Sequence, residues 1–76
     1  MNKQRRKEIQ SVIEQLQSLQ STIEGLRDEE QEYYDYMPEN FQSGERGQAA
    51  EDAISYMDDA ISSIDEVVSA LESSTD

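Results

Sequence analysis

Apolar residues in the first half of the chain recur at alternating intervals of three and four, beginning at Ile9. This spacing is a heptad pattern, which is typical of a helix that packs along one face. With Ile9 at heptad position a, positions a and d hold Ile9, Val12, Leu16, Leu19, Ile23, Leu26, Glu30, Tyr33 and Met37. The pattern predicts a first helix over about residues 3–36. Pro38 sets its end, because proline disfavours helical geometry in the preceding residue.

The second half contains a seven-residue unit repeated three times over residues 51–71, as EDAISYM, DDAISSI and DEVVSAL. The repeat predicts a second helix over about residues 44–72. The apolar face of this helix is wider than one neighbouring helix covers, so we predict that it also forms an oligomer seam. The predicted seam residues are Ile54, Met57, Ile61, Ile64, Val68 and Leu71.

Residues 37–43 contain the only proline and predict a turn between the two helices. Ser43 is the predicted N-cap of the second helix, because its hydroxyl can accept from a free backbone N–H group. Gly47 is expected to make the first turn of that helix soft. Facing residue numbers across such a turn total about 82 in an antiparallel pair. The basic start, Lys3–Lys7, is then expected to lie beside the acidic end near Glu72.

These elements predict an all-α fold: one antiparallel two-helix hairpin over residues 1–76, with coiled-coil-like heptads. Leu, Ile, Val and Phe number only 14 of 76 residues, a composition typical of disordered chains. All of them except Phe41 nevertheless fall on the apolar faces of the two predicted helices, which favours a folded hairpin. A hairpin of this size has a single contact seam, while ordering it costs on the order of 100 kcal/mol. We therefore predict that the rest of the apolar face is buried in a homodimer that forms a four-helix bundle, or by docking onto another protein.

The chain is strongly acidic, with 18 Asp and Glu against 6 Lys and Arg and a formal net charge of −12. Such a chain repels nucleic acid and anionic membranes. It contains no Cys and no His, so disulfides and the commonest acid–base group are missing. A catalytic pair of carboxylates requires an enclosing pocket, whereas carboxylates on the outer face of a helix lie in water. We expect no enzymatic activity, no cofactor, no metal, no membrane or nucleic-acid partner, and a cytoplasmic location in the host cell.

Two groups of residues are candidates for binding a protein partner. No Lys or Arg follows Arg46, so the acids of the second helix form a row of one sign that can imitate a phosphate backbone. The aromatic residues cluster at the turn end of the hairpin, and aromatic side chains are enriched in interfaces. The candidates are Tyr34, Tyr36, Phe41, Glu51, Asp52, Asp58, Asp59, Asp65 and Glu66. Tyr34 and Tyr36 are expected to point away from the seam. The alternatives are a solvated face that keeps the bundle soluble and aromatics that only cap its end.

The run from Asp28 to Ile61 resembles a family of small acidic phage and prophage proteins. In that family an acidic helix with aromatic residues leads into a Met-Pro-Glu-Asn turn, here Met37–Asn40, and then into a second acidic helix. One departure is Gly44, which separates Ser43 from the Glu-Arg pair that follows. The resemblance implies a viral or prophage origin, and it assigns no activity or site residue.

Two functions fit these features. The first is an inhibitor that binds a host protein with a basic surface, such as a defence nuclease or a nucleic-acid-binding factor, by steric block or acidic mimicry. The second is a homo-oligomeric structural or assembly module in which the charge only provides solubility. Small size, charge asymmetry and the aromatic cluster favour the inhibitor.

Overall fold

A computed structural model describes all residues 1–76. Its regular secondary structure consists of helices only. Helix α1 spans Lys3–Asp35, α2 is a four-residue helix at Glu39–Gln42, and α3 spans Glu45–Ser74. The molecule is a thin rod of 58 × 15 × 12 Å. The predicted all-α class is confirmed, and the two long helices lie close to their predicted bounds.

Helix α1 begins at a side-chain cap and ends at the predicted proline. The Asn2 Oδ1 atom accepts a hydrogen bond of 2.7 Å from the backbone N–H of Arg5, which satisfies one of the free donors of the first turn. The helix continues through Gly25 without a break and ends at Asp35. Its last residue lies three positions before Pro38, consistent with the restriction that proline places on the residue before it.

The connection between the long helices is more ordered than the predicted turn over 37–43. The Pro38 carbonyl accepts from the N–H groups of Phe41 and Gln42 at 2.9 and 3.0 Å, which forms α2. The Gln42 Nε2 atom donates to the backbone oxygen of Tyr34 at 2.9 Å and so satisfies a carbonyl in the last turn of α1. Helix α2 is therefore fastened to the end of α1.

The start of α3 differs from the prediction. Gly44 is its N-cap and provides no side-chain hydrogen bond. The Ser43 hydroxyl instead lies within hydrogen-bonding distance of the carbonyls of Glu39 and Asn40, at 3.2 and 3.4 Å. The prediction that Ser43 caps the helix is therefore wrong, because its hydroxyl donates back into α2. The other end of α3 reaches Ser74, two residues beyond the predicted end.

Helices α1 and α3 run antiparallel, and three hydrogen bonds between their side chains define the register. These join Gln20 to Asp65 at 2.7 Å, Arg27 to Asp58 at 2.9 Å, and Tyr34 to Glu51 at 2.7 Å. In every pair the residue numbers total 85, against the predicted value of about 82. The difference arises because α2 adds ordered residues to the connection and moves the centre of the hairpin towards α3.

This register leaves the beginning of α1 without a neighbour. Extending it places Asp76 beside Ile9, so Lys3–Glu8 project past the end of α3. All of these six residues are exposed, and Arg27 is the only basic residue of the molecule that forms a salt bridge. The prediction that the basic start lies beside the acidic end is therefore wrong, and the shifted register is the reason.

The face that α1 turns towards α3 is rotated from the predicted one. Positions a and e are buried or half-buried, with Ile13 only 4% exposed. Position e also holds Gln20, Arg27 and Tyr34, whose polar side chains bond to α3. These bonds turn α1 about its axis and expose the predicted seam residues at position d. The exposed d residues, called here the α1 outer stripe, are Val12, Leu19, Leu26 and Tyr33, at 44%, 58%, 51% and 52% exposure.

The core of the hairpin is narrow. On α3 it consists of Ala50, Ile54 and Val68, which are buried, together with half-buried neighbours one heptad apart. All six residues of the predicted oligomer seam lie on this buried or half-buried face. Ile54 and Val68 are buried, whereas Met57, Ile61, Ile64 and Leu71 are half-buried. A role for them between copies stays a prediction, while within one chain they pack against α1.

Candidate partner-binding surfaces

The first surface is a row of polar contacts along one edge of the hairpin, called here the polar edge. It consists of Gln20, Arg27 and Tyr34 of α1 with Asp65, Asp58 and Glu51 of α3. The Gln20 Nε2 atom donates also to the Ile61 carbonyl at 2.9 Å, inside the α1–α3 contact. The members on each helix are seven residues apart, about 10.5 Å along the axis. The polar edge therefore ties the helices together at three successive heptads.

Two ionisable groups of the polar edge have shifted pKa values. The pKa of Arg27 is raised, first by its hydrogen bond with Asp58 and further by the negative charges of Asp58 and Asp28. The pKa of Tyr34 is raised, first by the hydrogen bond that its hydroxyl donates to Glu51 and then by desolvation. Both shifts favour the protonated group that donates to the carboxylate. Tyr34 is half-buried against α3, so the prediction that it points away from the seam is wrong.

The second surface is the outer side of α3, called here the acidic face, which carries Asp52, Asp59 and Glu66. All three are exposed and follow the carboxylates of the polar edge by one residue. Asp52 accepts a hydrogen bond of 2.9 Å from Gln48 within α3. Asp59 and Glu66 take part in no hydrogen bond or salt bridge. The acidic face thus presents negative charge that the hairpin itself does not neutralise.

Tyr56 lies within the acidic face, and the sequence leaves open whether it belongs to the seam or to a partner-binding surface. Its side chain is 74% exposed. It comes four residues after Asp52 and three before Asp59, and residues at those spacings are neighbours on a helix surface. The signal was present in the sequence as this spacing, but an aromatic residue in a heptad repeat is equally compatible with a place beside the seam. The structure shows the ring in solvent between two carboxylates.

The third surface is an open pocket at the turn end. Its lining includes Tyr33, Tyr36, Met37, Pro38, Phe41 and Arg46. The Arg46 guanidinium lies over the Phe41 ring, 5.5 Å from its centre, in a cation–π contact. Tyr36 is 85% exposed, which agrees with the prediction that it points outward.

The predicted partner-binding residues are therefore divided among three places. Tyr34 joins Glu51 on the polar edge, together with Asp58 and Asp65. Tyr36 and Phe41 lie in the turn-end pocket, beside Tyr33 of the α1 outer stripe. The carboxylates of the acidic face stand apart from both, with Tyr56 between them. Among the predicted aromatic residues, Tyr34 is the one that hydrogen-bonds to an acid of α3.

No group of three or more Asp, Glu, His or Cys side chains is arranged to hold a metal ion. Neither long helix contains an apolar stretch able to cross a membrane. Comparison with protein-family models, with curated protein sequences and with solved structures finds no match to this chain. The three surfaces present negative charge, exposed aromatic side chains and hydrogen-bonding groups.

Proposed function

We propose that the protein is a non-enzymatic binding protein that places the acidic face of α3 on a basic, nucleic-acid-binding surface of another protein and blocks it. The observation that carries the proposal is the charge of α3. Between Glu45 and Asp76 there are nine carboxylates, all exposed, and the only cation is Arg46 at the start of the helix. Solvated helices ordinarily carry both signs.

The geometry of the acidic face suits a site that normally holds a nucleic acid. Its carboxylates, Asp52, Asp59 and Glu66, recur every seven residues, or about 10.5 Å. A rod with this one-signed pattern steers towards a basic groove over long range and raises the association rate. Tyr56 adds an aromatic side chain that can be desolvated on contact, which is the usual way that an interface gains a slow dissociation rate.

The resemblance to phage and prophage proteins suggests the class of target. Such a protein acts inside a bacterial host, where defence nucleases and nucleic-acid-binding factors carry basic grooves. The proposed function is to occupy one of these grooves by steric block and charge mimicry. The alternative function, a homo-oligomeric assembly module, is favoured by a different feature, the exposed α1 outer stripe.

The test compares three immobilised baits in a bacterial lysate: the wild type, a variant with a neutral acidic face, and a control of equal charge. The neutral variant carries Asp52→Asn, Asp59→Asn and Glu66→Gln, none of which touches α1. The control carries three Glu→Gln changes on the outside of α1, at Glu14, Glu24 and Glu29, which are exposed. The amount of lysozyme, an unrelated basic protein, that each bait retains measures non-specific electrostatic attraction.

We expect the wild type and the control to capture the same protein, and the neutral variant to lose it. The purified partner should then be displaced from labelled DNA or RNA by the wild type and not by the neutral variant. Capture that survives neutralisation of the acidic face would contradict the proposal. Binding no stronger than that of lysozyme would also contradict it.

A further inference from the structure

The α1 outer stripe is the largest apolar feature that the hairpin leaves uncovered. Its four residues recur once per heptad, and the same heptad position one step earlier holds Arg5, also exposed. From Arg5 to Tyr33 the row is about 42 Å long at 1.5 Å per residue. A cation therefore stands at one end of the row, an aromatic ring at the other, and aliphatic side chains between them.

The charge of α1 also changes along the helix from its start to its end. Lys3, Arg5, Arg6 and Lys7 project past α3, and none of them forms a salt bridge. From Ile9 to Ile23 the only charged residue is Glu14, which is exposed on another side of α1. The far end carries five acids: Asp28, Glu29, Glu30, Glu32 and Asp35. The helix is thus positive at its start, neutral in its middle and negative at its end.

We propose that a second copy of this chain packs on the α1 outer stripe, with the two α1 helices antiparallel and the two-fold axis at Leu19. In this arrangement Leu19 meets Leu19 of the second copy, and Val12 meets Leu26 of the second copy. Arg5 meets Tyr33 of the second copy, where a cation over an aromatic ring is favourable. Each exposed member of the row thereby gains a partner, as an isologous interface requires.

Charge complementarity selects this antiparallel pairing. It sets the basic start of each α1, Lys3–Lys7, at the level of the acidic end of α1 in the second copy. A parallel pairing would instead set the basic starts together and the acidic ends together. Pairing through α3 would bring two acidic faces close.

This dimer uses α1 alone, so it stands or falls independently of the proposed function of α3. The polar edge is at heptad position e, on the other side of position a from the stripe. The acidic face lies on the outer side of α3. Both remain accessible when the two α1 helices are joined.

Cysteine cross-linking tests the register directly, because the protein contains no cysteine. A Leu19→Cys variant should form a disulfide dimer with itself under mild oxidation, since residues on the two-fold axis come within disulfide reach. Val12→Cys and Leu26→Cys should each form no disulfide alone and should cross-link when mixed. Tyr56→Cys, exposed on the acidic face, is the matched control and should not cross-link.

Sedimentation over a hundredfold dilution provides the second measurement. Leu19→Glu should weaken dimerisation by about a hundredfold or more, because it places two carboxylates at the axis of the interface. Its helical content should be unchanged, since Leu19 is exposed in the single hairpin. Tyr56→Glu should dimerise as the wild type does.

Three results would overturn the proposal. The first is a wild type that sediments as a single copy at every concentration. The second is a dimer in which Leu19→Cys fails to cross-link. The third is cross-linking of Tyr56→Cys as efficient as that of Leu19→Cys.

Discussion

The backbone oxygen of Gln42 occupies the space that a side chain at Gly47 would need. A Cβ atom at Gly47 would lie 1.9 Å from that oxygen and 2.4 Å from the carbonyl carbon. The side chain of the same Gln42 donates to the Tyr34 carbonyl at the end of α1. One residue of α2 therefore contacts both long helices, and Gly47 is what lets α2 approach α3 so closely. This close packing is a role for Gly47 that the sequence did not predict.

Gly47→Ala should destabilise the hairpin by roughly 1–3 kcal/mol, because the obstructing atoms are backbone atoms and α2 must move. The matched control is Gly25→Ala, where an added Cβ meets nothing within 4 Å. That change should stabilise the protein by about 1 kcal/mol, the helix-propensity difference between the two residues. Urea unfolding followed by circular dichroism measures both. Equal effects of the same sign at the two glycines would contradict this account.

Ile54→Ala should destabilise the hairpin by about 2–4 kcal/mol, because it removes a buried side chain and leaves a cavity. Ile13→Ala should act similarly, since Ile13 is only 4% exposed. Tyr56→Ala, a larger deletion at a 74% exposed position, should change the free energy of unfolding by less than about 0.5 kcal/mol. Denaturant midpoints of the three variants, measured at one protein concentration, provide the comparison. A Tyr56→Ala effect as large as that of Ile54→Ala would place the core elsewhere.

The hydrogen bond from Tyr34 to Glu51 should make stability depend on pH in the alkaline range. The pKa of Tyr34 is raised above its ordinary value near 10. The folded state therefore holds the proton more tightly than the unfolded state does. This stabilisation is complete below pH 10 and is lost as the pH rises through the folded-state pKa.

The melting temperature should accordingly fall more steeply above pH 10 in the wild type than in Tyr34→Phe. At neutral pH the Tyr34→Phe variant should melt at a lower temperature, because Glu51 loses its donor. Tyr36→Phe is the control, since Tyr36 is 85% exposed and donates no hydrogen bond. Identical alkaline curves for the wild type and Tyr34→Phe would show that the hydrogen bond adds nothing to stability.

The hydrophobic pattern was sufficient to predict both long helices and their order. It was insufficient to predict which side of α1 meets α3. Position e holds Gln20, Arg27 and Tyr34, which on their own read as solvent-facing residues. An antiparallel pair of helices already predicts that Arg27 lies near Asp58, but the partners of Gln20 and Tyr34 are recognisable only once the register is known. The register in turn depends on α2, whose four residues carry no periodic signal.

The candidate surfaces were predictable to a similar extent. The acidic row follows from repeat spacing alone, so the sequence sufficed to find it. The separation of Tyr34 from Tyr36 did not follow, because two positions along a helix point in directions about 200° apart and only the contacts of α1 show which direction is inward. Tyr56 was ambiguous for the same reason, as it adjoins both the repeat's apolar residues and its acids.

The unsupported beginning of α1 has a consequence for proteolysis. Four of the six sites where trypsin can cut, Lys3, Arg5, Arg6 and Lys7, lie on helical turns that no other element covers, and such turns open most readily. Trypsin should therefore trim this end first and leave Arg27, held by Asp58, until much later. If two copies join through α1, this trimming should slow as the protein concentration rises. The rate of trypsin digestion, measured against protein concentration, thus reports whether two copies are joined.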